Sequence, residues 1–421
     1  MDLYGELAWR GLVHTASEGV REALAGGKLT GYIGFDPTAA SLHVGSLLQM
    51  MALARMQRAG HSAIALVGGG TGLIGDPKPT TERALLSVAQ VDANVEGIRA
   101  QLARFLDFDS AAAPARLVNN AEWLTKLSAI HFMRDVGKHF TVNAMLAKEA
   151  VKRRIESDEG ISYTEFSYAL LQAYDYLELY DRFRCTMQMG GSDQWGNIVA
   201  GIDLIRRVRG GKAHGLVQPL ITTAAGTKFG KTEAGTVWLD PALTKPYEFY
   251  QFWLNVDDRD AVKYLKFFTF LGQDRIGDLE GTSAREPERR HAQRELAREV
   301  TRLVHGDDAV RHAENAARAL FGGDVSRMSV GELLQVFPNV PSTTAAYVAE
   351  GWPIVELLAS AGVTSSRGEA TRLIRSGGIY VNSRRVTDEK ERVLADQAIE
   401  GQLFVVRKGK RDNFLIRIVP G

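Results

Sequence analysis

Two short clusters in the sequence hold the side chains that polyphosphate chemistry needs. His43-Val44-Gly45-Ser46 lies where an apolar run, Gly31-Tyr32-Ile33-Gly34-Phe35, gives way to a helical pattern. A histidine and a close-approach glycine at a helix start can offer hydrogen bonds to a nucleotide phosphate, helped by the positive end of the helix. Lys228-Phe229-Gly230-Lys231-Thr232 sets two cations and a hydroxyl around a glycine, as a mobile loop that clamps phosphates would require. Taken singly, a capped helix start and a solvated basic turn account for them about as well. A third cluster misleads. Gly70-Thr71-Gly72-Leu73-Ile74-Gly75 matches a dinucleotide fingerprint, follows an apolar run, and has Glu96 near the place of a ribose-binding acid. Such a fingerprint must open a helix toward the pyrophosphate. Here Asp76-Pro77-Lys78-Pro79 follows at once, and Pro79 biases Lys78 away from helical angles. The glycines are expected to form a tight loop that delivers Asp76 and brings backbone close to a ligand.

The elements around these clusters predict an α/β sheet. Residues 31–35 read as a buried strand, Leu42 to Arg58 as an amphipathic helix, and Ala63–Val67 as a second strand. That succession is a βαβ unit and implies a parallel sheet. Residues 85–110 and 120–156 read as helical, Thr164–Leu179 as a helix, and Arg184–Met189 and Leu216–Thr222 as strands, which places the sheet over 30–225. From Lys245 the pattern is helical, with Arg285–Val304 and Ala309–Leu320 the clearest stretches. Gly322-Gly323 and Pro338–Thr344 break the periodicity, as a linker over 323–351 would.

Composition narrows the class. The 421 residues are 45% hydrophobic and 24% charged, with a net charge of +1 that names no partner. The only cysteine, Cys185, excludes an internal disulfide or a cysteine-based zinc site, and no metal-ligating set stands out. The acidic start lacks a signal-peptide order, and no run of eighteen apolar residues exists, so a cytoplasmic protein without a membrane span is expected. Residues 352–421 differ from the rest, with twelve Lys+Arg against eight Asp+Glu. That local excess of +4 suits RNA.

Phe35-Asp36-Pro37-Thr38, the His-Val-Gly-Ser start, Gly190-Gly191-Ser192-Asp193-Gln194-Trp195-Gly196-Asn197 and Lys228–Thr232 occur in this order. Together with Leu66–Gly69, Tyr163–Tyr168 and Gln172-Ala173-Tyr174-Asp175, the chain resembles the class I aminoacyl-tRNA synthetases nearly end to end, on their bacterial tyrosine-activating branch. The resemblance implies a Rossmann-like parallel-sheet catalytic domain (1–225, with a dimer-interface insertion within 110–185). A clamp loop with an α-helical anticodon-side domain (226–322), the linker (323–351) and a small α+β RNA-binding domain (352–421) would follow. It further implies a tyrosine–tRNA ligase that uses ATP, with Mg2+ accompanying it, L-tyrosine and tRNA(Tyr), and that works as a homodimer.

By that resemblance Tyr32 and Asp175 hold the substrate phenol, a donor and an acceptor that phenylalanine would leave unpaired. Asp76, Tyr168 and Gln172 meet the α-ammonium, with Asp36 lining the pocket and Gln188 and Gln194 near the reacting carboxylate. Gly34, Gly45, Ser46, Gly191, Asp193, Gln194 and Lys231 belong to the ATP site, and Thr38, His43, Lys228, Lys231 and Thr232 stabilise the phosphates. Judged without the family, Tyr32 reads as a core tyrosine and Asp175 as a helix-surface acid. Two departures stand out: Ser46 replaces a second histidine of the usual signature, and Pro77–Glu82 is a residue shorter than the family pattern, with Lys78 and Arg83 near the expected phosphates. In the tail, Arg367, Arg372 and Arg375 form a basic helix face, with Lys408 and Lys410 in a later turn, all implied tRNA contacts. A tryptophan-activating relative would not need the phenol clamp, a purely RNA-binding protein would not need His43 and Lys231, and an NAD-dependent dehydrogenase rests on the misleading fingerprint alone.

Overall fold

The computed structural model describes residues 2–77, 85–157, 160–224, 226, 229–232, 235–320, 325–326, 328–337, 340–409 and 412–420. Apolar runs form the expected strands: β2 (Thr30–Phe35), β3 (Ser62–Val67), β5 (Cys185–Gly191) and β6 (His214–Gln218). Two more were not anticipated, β1 (Thr15–Ala16) and β4 (Arg116–Asn119), so the sheet begins well before residue 30. The order is β1-β6-β5-β2-β3-β4, parallel throughout except for the edge strand β1. Strand β6 stops short of the expected Thr222 because Pro219 cannot donate to the ladder.

The helix expected over Leu42–Arg58 forms at Val44–Arg58 but is not amphipathic in its burial. It is buried on nearly every side, from Val44 and Leu47 to Arg55 and Met56, because the helix Asp258–Phe268 covers the face turned away from the sheet. Arg55 makes this possible. Its guanidinium donates to the carbonyls of Phe267 (2.8 Å) and Thr269 (3.0 Å), and Arg10 donates to that of Lys266 (2.7 Å). Cations at a helix C-terminus meet both its orphan carbonyls and its dipole. Burial, with Arg10 nearby, pushes Arg55 down to about 9.

The expected helix over 120–156 is instead a series of short turns: Ala121–Leu124, Ala129–His131, a π-turn Phe132–Val136, Val142–Leu146 and Glu149–Ile155. Ser128 and Thr141 cap new helix starts inside it, each restarting the chain direction. The Gly70–Gly75 run is a 3-10 turn over Thr71–Leu73 with Gly75 at φ +84°, and no dinucleotide-type helix opens there among the described residues. Farther on, the helix expected over Arg285–Val304 starts only at His291: the preceding helix Gln273–Arg285 ends at Arg285, and a 3-10 turn at Pro287–Arg289 separates the two.

The chain falls into two units, Met1–Lys245 with Phe252–Val304, and Pro246–Gln251 with His305–Gly421. The second holds a five-stranded sheet ordered Arg384–Arg385, Ile379–Val381, Leu403–Lys408, Asp412–Val419 and Ser342–Ala346. The stretch expected as a linker is structured over much of its length. Ser329 and Glu332 close a capping box on the helix Val330–Val336, and Ser342–Ala346 pairs in parallel with Asp412–Val419. Leu333 and Phe337 pack with Ile399, Leu403 and Leu415, so this segment belongs to the core beneath that sheet.

Candidate active site

The strand order reverses beside β2, and a doubly wound sheet opens a crevice at that point, beyond the carboxyl ends of its strands. A cavity of about 800 Å3 lies there. Tyr32, Gly34, Asp36, Thr38, His43, Gly45 and Ser46 line it from β2 and the following helix start. Asp76, Tyr168, Gln172, Asp175, Gln188, Gly191, Asp193 and Gln194 line the remainder. The fold thus gathers candidates spread over more than 160 positions of sequence into one volume.

At its deep end Asp175, which read as a surface acid only when the family was left aside, is 2% exposed. Trp123 Nε1 donates to one carboxylate oxygen (2.7 Å) and Asn120 Nδ2 to the other (2.9 Å). Desolvation pushes the Asp175 carboxyl up to about 8 despite those two bonds, which act in the opposite direction. Among the described residues, Tyr32, 1% exposed, has no hydrogen-bond partner for its hydroxyl, and Gln188 has none for Oε1. Asn120 also donates to Thr71 Oγ1 (2.9 Å) and accepts from the Gly70 N–H (2.7 Å), so the glycine loop is tied to the Asp175 bracket. Sequence reasoning missed Asn120 and Trp123, which fall in the stretch read as helical; the Asn119-Asn120 pair ending the short apolar run Leu117-Val118 was the available signal.

A second polar group stands nearer the entrance. Asp36 accepts from Tyr168 OH and Thr71 Oγ1, both at 2.8 Å. A Cβ on Gly68 would lie 2.2 Å from Asp36 Oδ1, so only glycine lets this carboxylate sit where it does. Asp76 accepts from Gln194 Nε2 (2.8 Å) and Asn197 Nδ2 (3.4 Å), and Asn197 donates to Gln172 Oε1 (3.0 Å). Behind Asn197 stands Lys148, whose ammonium donates to Asn197 Oδ1 at 3.0 Å. Burial pushes Lys148 down to about 8, the charge of Asp76 opposing the shift. Gln194 therefore faces Asp76 directly.

On the third side, His43 caps the Val44–Arg58 helix, its Nδ1 accepting from the Gly45 N–H at 3.0 Å. The proton of the neutral ring consequently sits on Nε2. Gly34 has nothing within 4 Å of where a Cβ would stand, leaving its backbone open to the cavity. Lys228 and the side chains of Lys231 and Thr232 lie outside the described residues, as do Lys78 and Arg83. What is described of that loop is anchored: Phe229 is buried among Phe252, Tyr264 and Phe268, at ring distances of 5.5, 5.0 and 5.4 Å. The Lys231–Thr232 backbone pairs with Gly235–Thr236.

In the second unit the basic residues are less bare than the sequence suggested. Arg367 pairs with Glu356 (3.3 Å), Arg375 with Glu389 (2.6 Å) and Lys408 with Glu369 (2.8 Å), while Arg372 is exposed. Lys408 ends a strand and does not lie in a turn, and Lys410 is outside the described residues.

Comparison with known proteins gives this geometry its context. The family model "tRNA synthetases class I (W and Y)" matches residues 24–322, and "Tyrosine--tRNA ligase SYY-like C-terminal domain" matches 332–416. A tyrosine–tRNA ligase of Roseiflexus castenholzii is 55% identical over 98% of this chain and 99% of its own. One of Geobacillus kaustophilus is 52% identical over 99% of this chain and 100% of its own. A C-terminally truncated mitochondrial tyrosyl-tRNA synthetase of Aspergillus nidulans is similar in structure, with a TM-score of 0.69 and 30% identity over 76% of this chain and 94% of that one. With a family model over most of its length and relatives identical at half their positions, the chain belongs to the class I tRNA synthetases of the W and Y family.

Proposed function

We propose that the cavity activates L-tyrosine with ATP and that the enzyme then passes the tyrosyl group to the terminal ribose of tRNA(Tyr). The observation that carries the choice of amino acid is the deep end: an unpartnered Tyr32 hydroxyl beside the bracketed Asp175 carboxyl. A phenol entering there donates to Asp175 and accepts from Tyr32, satisfying both its own hydroxyl and the protein's. Asp76, Tyr168 and Gln172 take the α-ammonium. The Tyr168 hydroxyl donates to Asp36, so its lone pairs remain for the ammonium hydrogens.

ATP enters as its Mg2+ complex, its phosphates toward the His43 helix start and its ribose toward Asp193. A tyrosine carboxylate oxygen attacks the α-phosphorus, a P–O bond forms, and the bond to the β-phosphate breaks to release pyrophosphate. The carboxylate is already ionised at neutral pH, so no general base is needed. The barrier falls through positioning and through stabilisation of charge on the transferring and leaving phosphates. His43 offers Nε2–H, the helix N-terminus its backbone donors, Thr38 a hydroxyl, and Lys228, Lys231 and Thr232 close from the loop anchored at Phe229. A ribose hydroxyl of tRNA then attacks the adenylate carbonyl and AMP leaves. Arg367, Arg372, Arg375, Lys408 and Lys410 contact the tRNA backbone, those with acidic partners exchanging them for phosphates.

A cytoplasmic homodimer completes the reading. It is supported by exposed apolar side chains within 110–185: Ile130, Met133, Val142 and Tyr163 are 71, 55, 60 and 70% exposed. The experiment is charging of unfractionated bacterial tRNA with labelled tyrosine or tryptophan. Label from tyrosine alone, recovered in tRNA(Tyr), is expected; RNA bound by the protein but never charged would leave only a binding role.

A further inference from the structure

Asn197 lies on the first turn of the helix Trp195–Arg209 and touches every polar arm of the ammonium site except Tyr168. Its Nδ2 is 3.0 Å from Gln172 Oε1, and 3.4 Å from both Asp76 Oδ1 and Gln194 Oε1. Its Oδ1 accepts from Lys148 Nζ at 3.0 Å. A lysine ammonium has three donors and no acceptor, so the atom of Asn197 facing it must be the oxygen. The amide nitrogen is thereby committed to the other side, toward Gln172 and Asp76. Gln172 can meet an amide N–H only with its carbonyl oxygen, so its own orientation follows from that of Asn197. A cation needs acceptors, and a glutamine turned about would present an NH2 group to it instead.

We propose that Asn197, with its amide orientation set by Lys148, is the positioning residue that keeps Gln172 and Asp76 as acceptors for the substrate α-ammonium. Neither residue touches the substrate; both act through the groups that do. Lys148 stands just before the helix Glu149–Ile155, so the relay ties that segment to the ammonium site. This inference rests on the reading that Asp76, Tyr168 and Gln172 hold the ammonium.

The test compares L-tyrosine with 3-(4-hydroxyphenyl)propionate, which keeps the phenol and carboxylate but lacks the ammonium. Equilibrium dialysis with the full chain gives Kd for each ligand and their ratio. Asn197→Leu, close in size and without an amide, is expected to weaken tyrosine by about tenfold or more, the scale of one hydrogen bond to a charged group, and to leave the propionate within about twofold. Lys148→Arg, still a cationic donor, is expected to keep both affinities. Equal weakening of both ligands by Asn197→Leu would mean general damage to the pocket and would overturn the proposal, as would no weakening of either. Loss of tyrosine affinity in Lys148→Arg would overturn the part given to the lysine. Asp76→Asn separates the inference from its foundation. If it weakens tyrosine selectively while Asn197→Leu does not, the relay alone is wrong; if it leaves the ratio unchanged, the ammonium site is misplaced.

Discussion

Replacing Tyr32 with phenylalanine should stabilise the empty protein while harming it as a tyrosine enzyme. Tyr32 is 1% exposed, its hydroxyl has no partner among the described residues, and the ring sits edge-on to Tyr176 at 5.2 Å, a contact phenylalanine preserves. Removing a buried hydroxyl that has no hydrogen bond recovers its desolvation cost, about 1–3 kcal/mol. Bound tyrosine loses one neutral hydrogen bond, about 0.5–1.5 kcal/mol, or roughly two- to thirteenfold in affinity. Phenylalanine affinity is expected to change little, because the hydroxyl is already buried and unpaired before it enters. Selectivity for tyrosine over phenylalanine should therefore fall by roughly two- to thirteenfold, all of it on the tyrosine side. Thermal unfolding of the free protein gives the first quantity, and kcat/KM for tyrosine- and phenylalanine-dependent pyrophosphate exchange gives the second. A lower unfolding temperature together with unchanged selectivity would refute the reasoning, since the hydroxyl would then serve the fold and not the substrate.

Three further outcomes follow from the same geometry. Lys231→Ala should lower the rate of tyrosine activation and leave tyrosine Kd nearly unchanged, because its proposed role begins at the transition state; pre-steady-state adenylate formation and equilibrium dialysis separate the two, and a parallel loss would contradict the role. Asp175 keeps its proton in the fold up to about 8, against an ordinary carboxylate value of 3.8. The unfolded chain therefore binds fewer protons in between, and this group's contribution to stability falls as pH rises from about 4 to 8, by at most about 1.4 kcal/mol per unit. Asp175→Asn should flatten that slope in denaturant unfolding at pH 5 and 8, and parallel profiles would count against the burial argument. Glu165→Ala strands Arg154, its 2.9 Å partner in a pair whose side chains are 1% and 2% exposed, and should cost about 3–5 kcal/mol on unfolding; a loss below about 1 kcal/mol would show that water reaches the pair.

The parts of this molecule that the sequence pattern reveals are continuous buried runs and a long helix with a buried face. β2, β3 and the Tyr163–Phe183 helix fall close to where apolar spacing puts them. The failures have definite causes. Arg116–Asn119 is a four-residue strand, too short for alternation to register, and it vanished between two stretches read as helical. With it went Asn120 and Trp123, the residues that bracket Asp175. Periodicity also cannot distinguish an acid on a helix's wet face from one turned inward against a tryptophan N–H, which is why Asp175 and Tyr32 read as bland until their motifs were matched to a family. The glycine fingerprint went the other way: its false promise was legible, because two prolines after Gly75 forbid the helix a dinucleotide needs. Lys148 carried no signal at all. Its meaning arises only when the Trp195–Arg209 helix brings Asn197 across to it.

The most direct measurement of the central claim is amino-acid-dependent exchange of pyrophosphate into ATP by the purified protein, without tRNA, with tyrosine, phenylalanine and tryptophan in parallel. Exchange with tyrosine alone is the expected result, and it would place both adenylate formation and the phenol clamp in this cavity. Exchange supported by tryptophan, or by none of the three from folded protein, would contradict it.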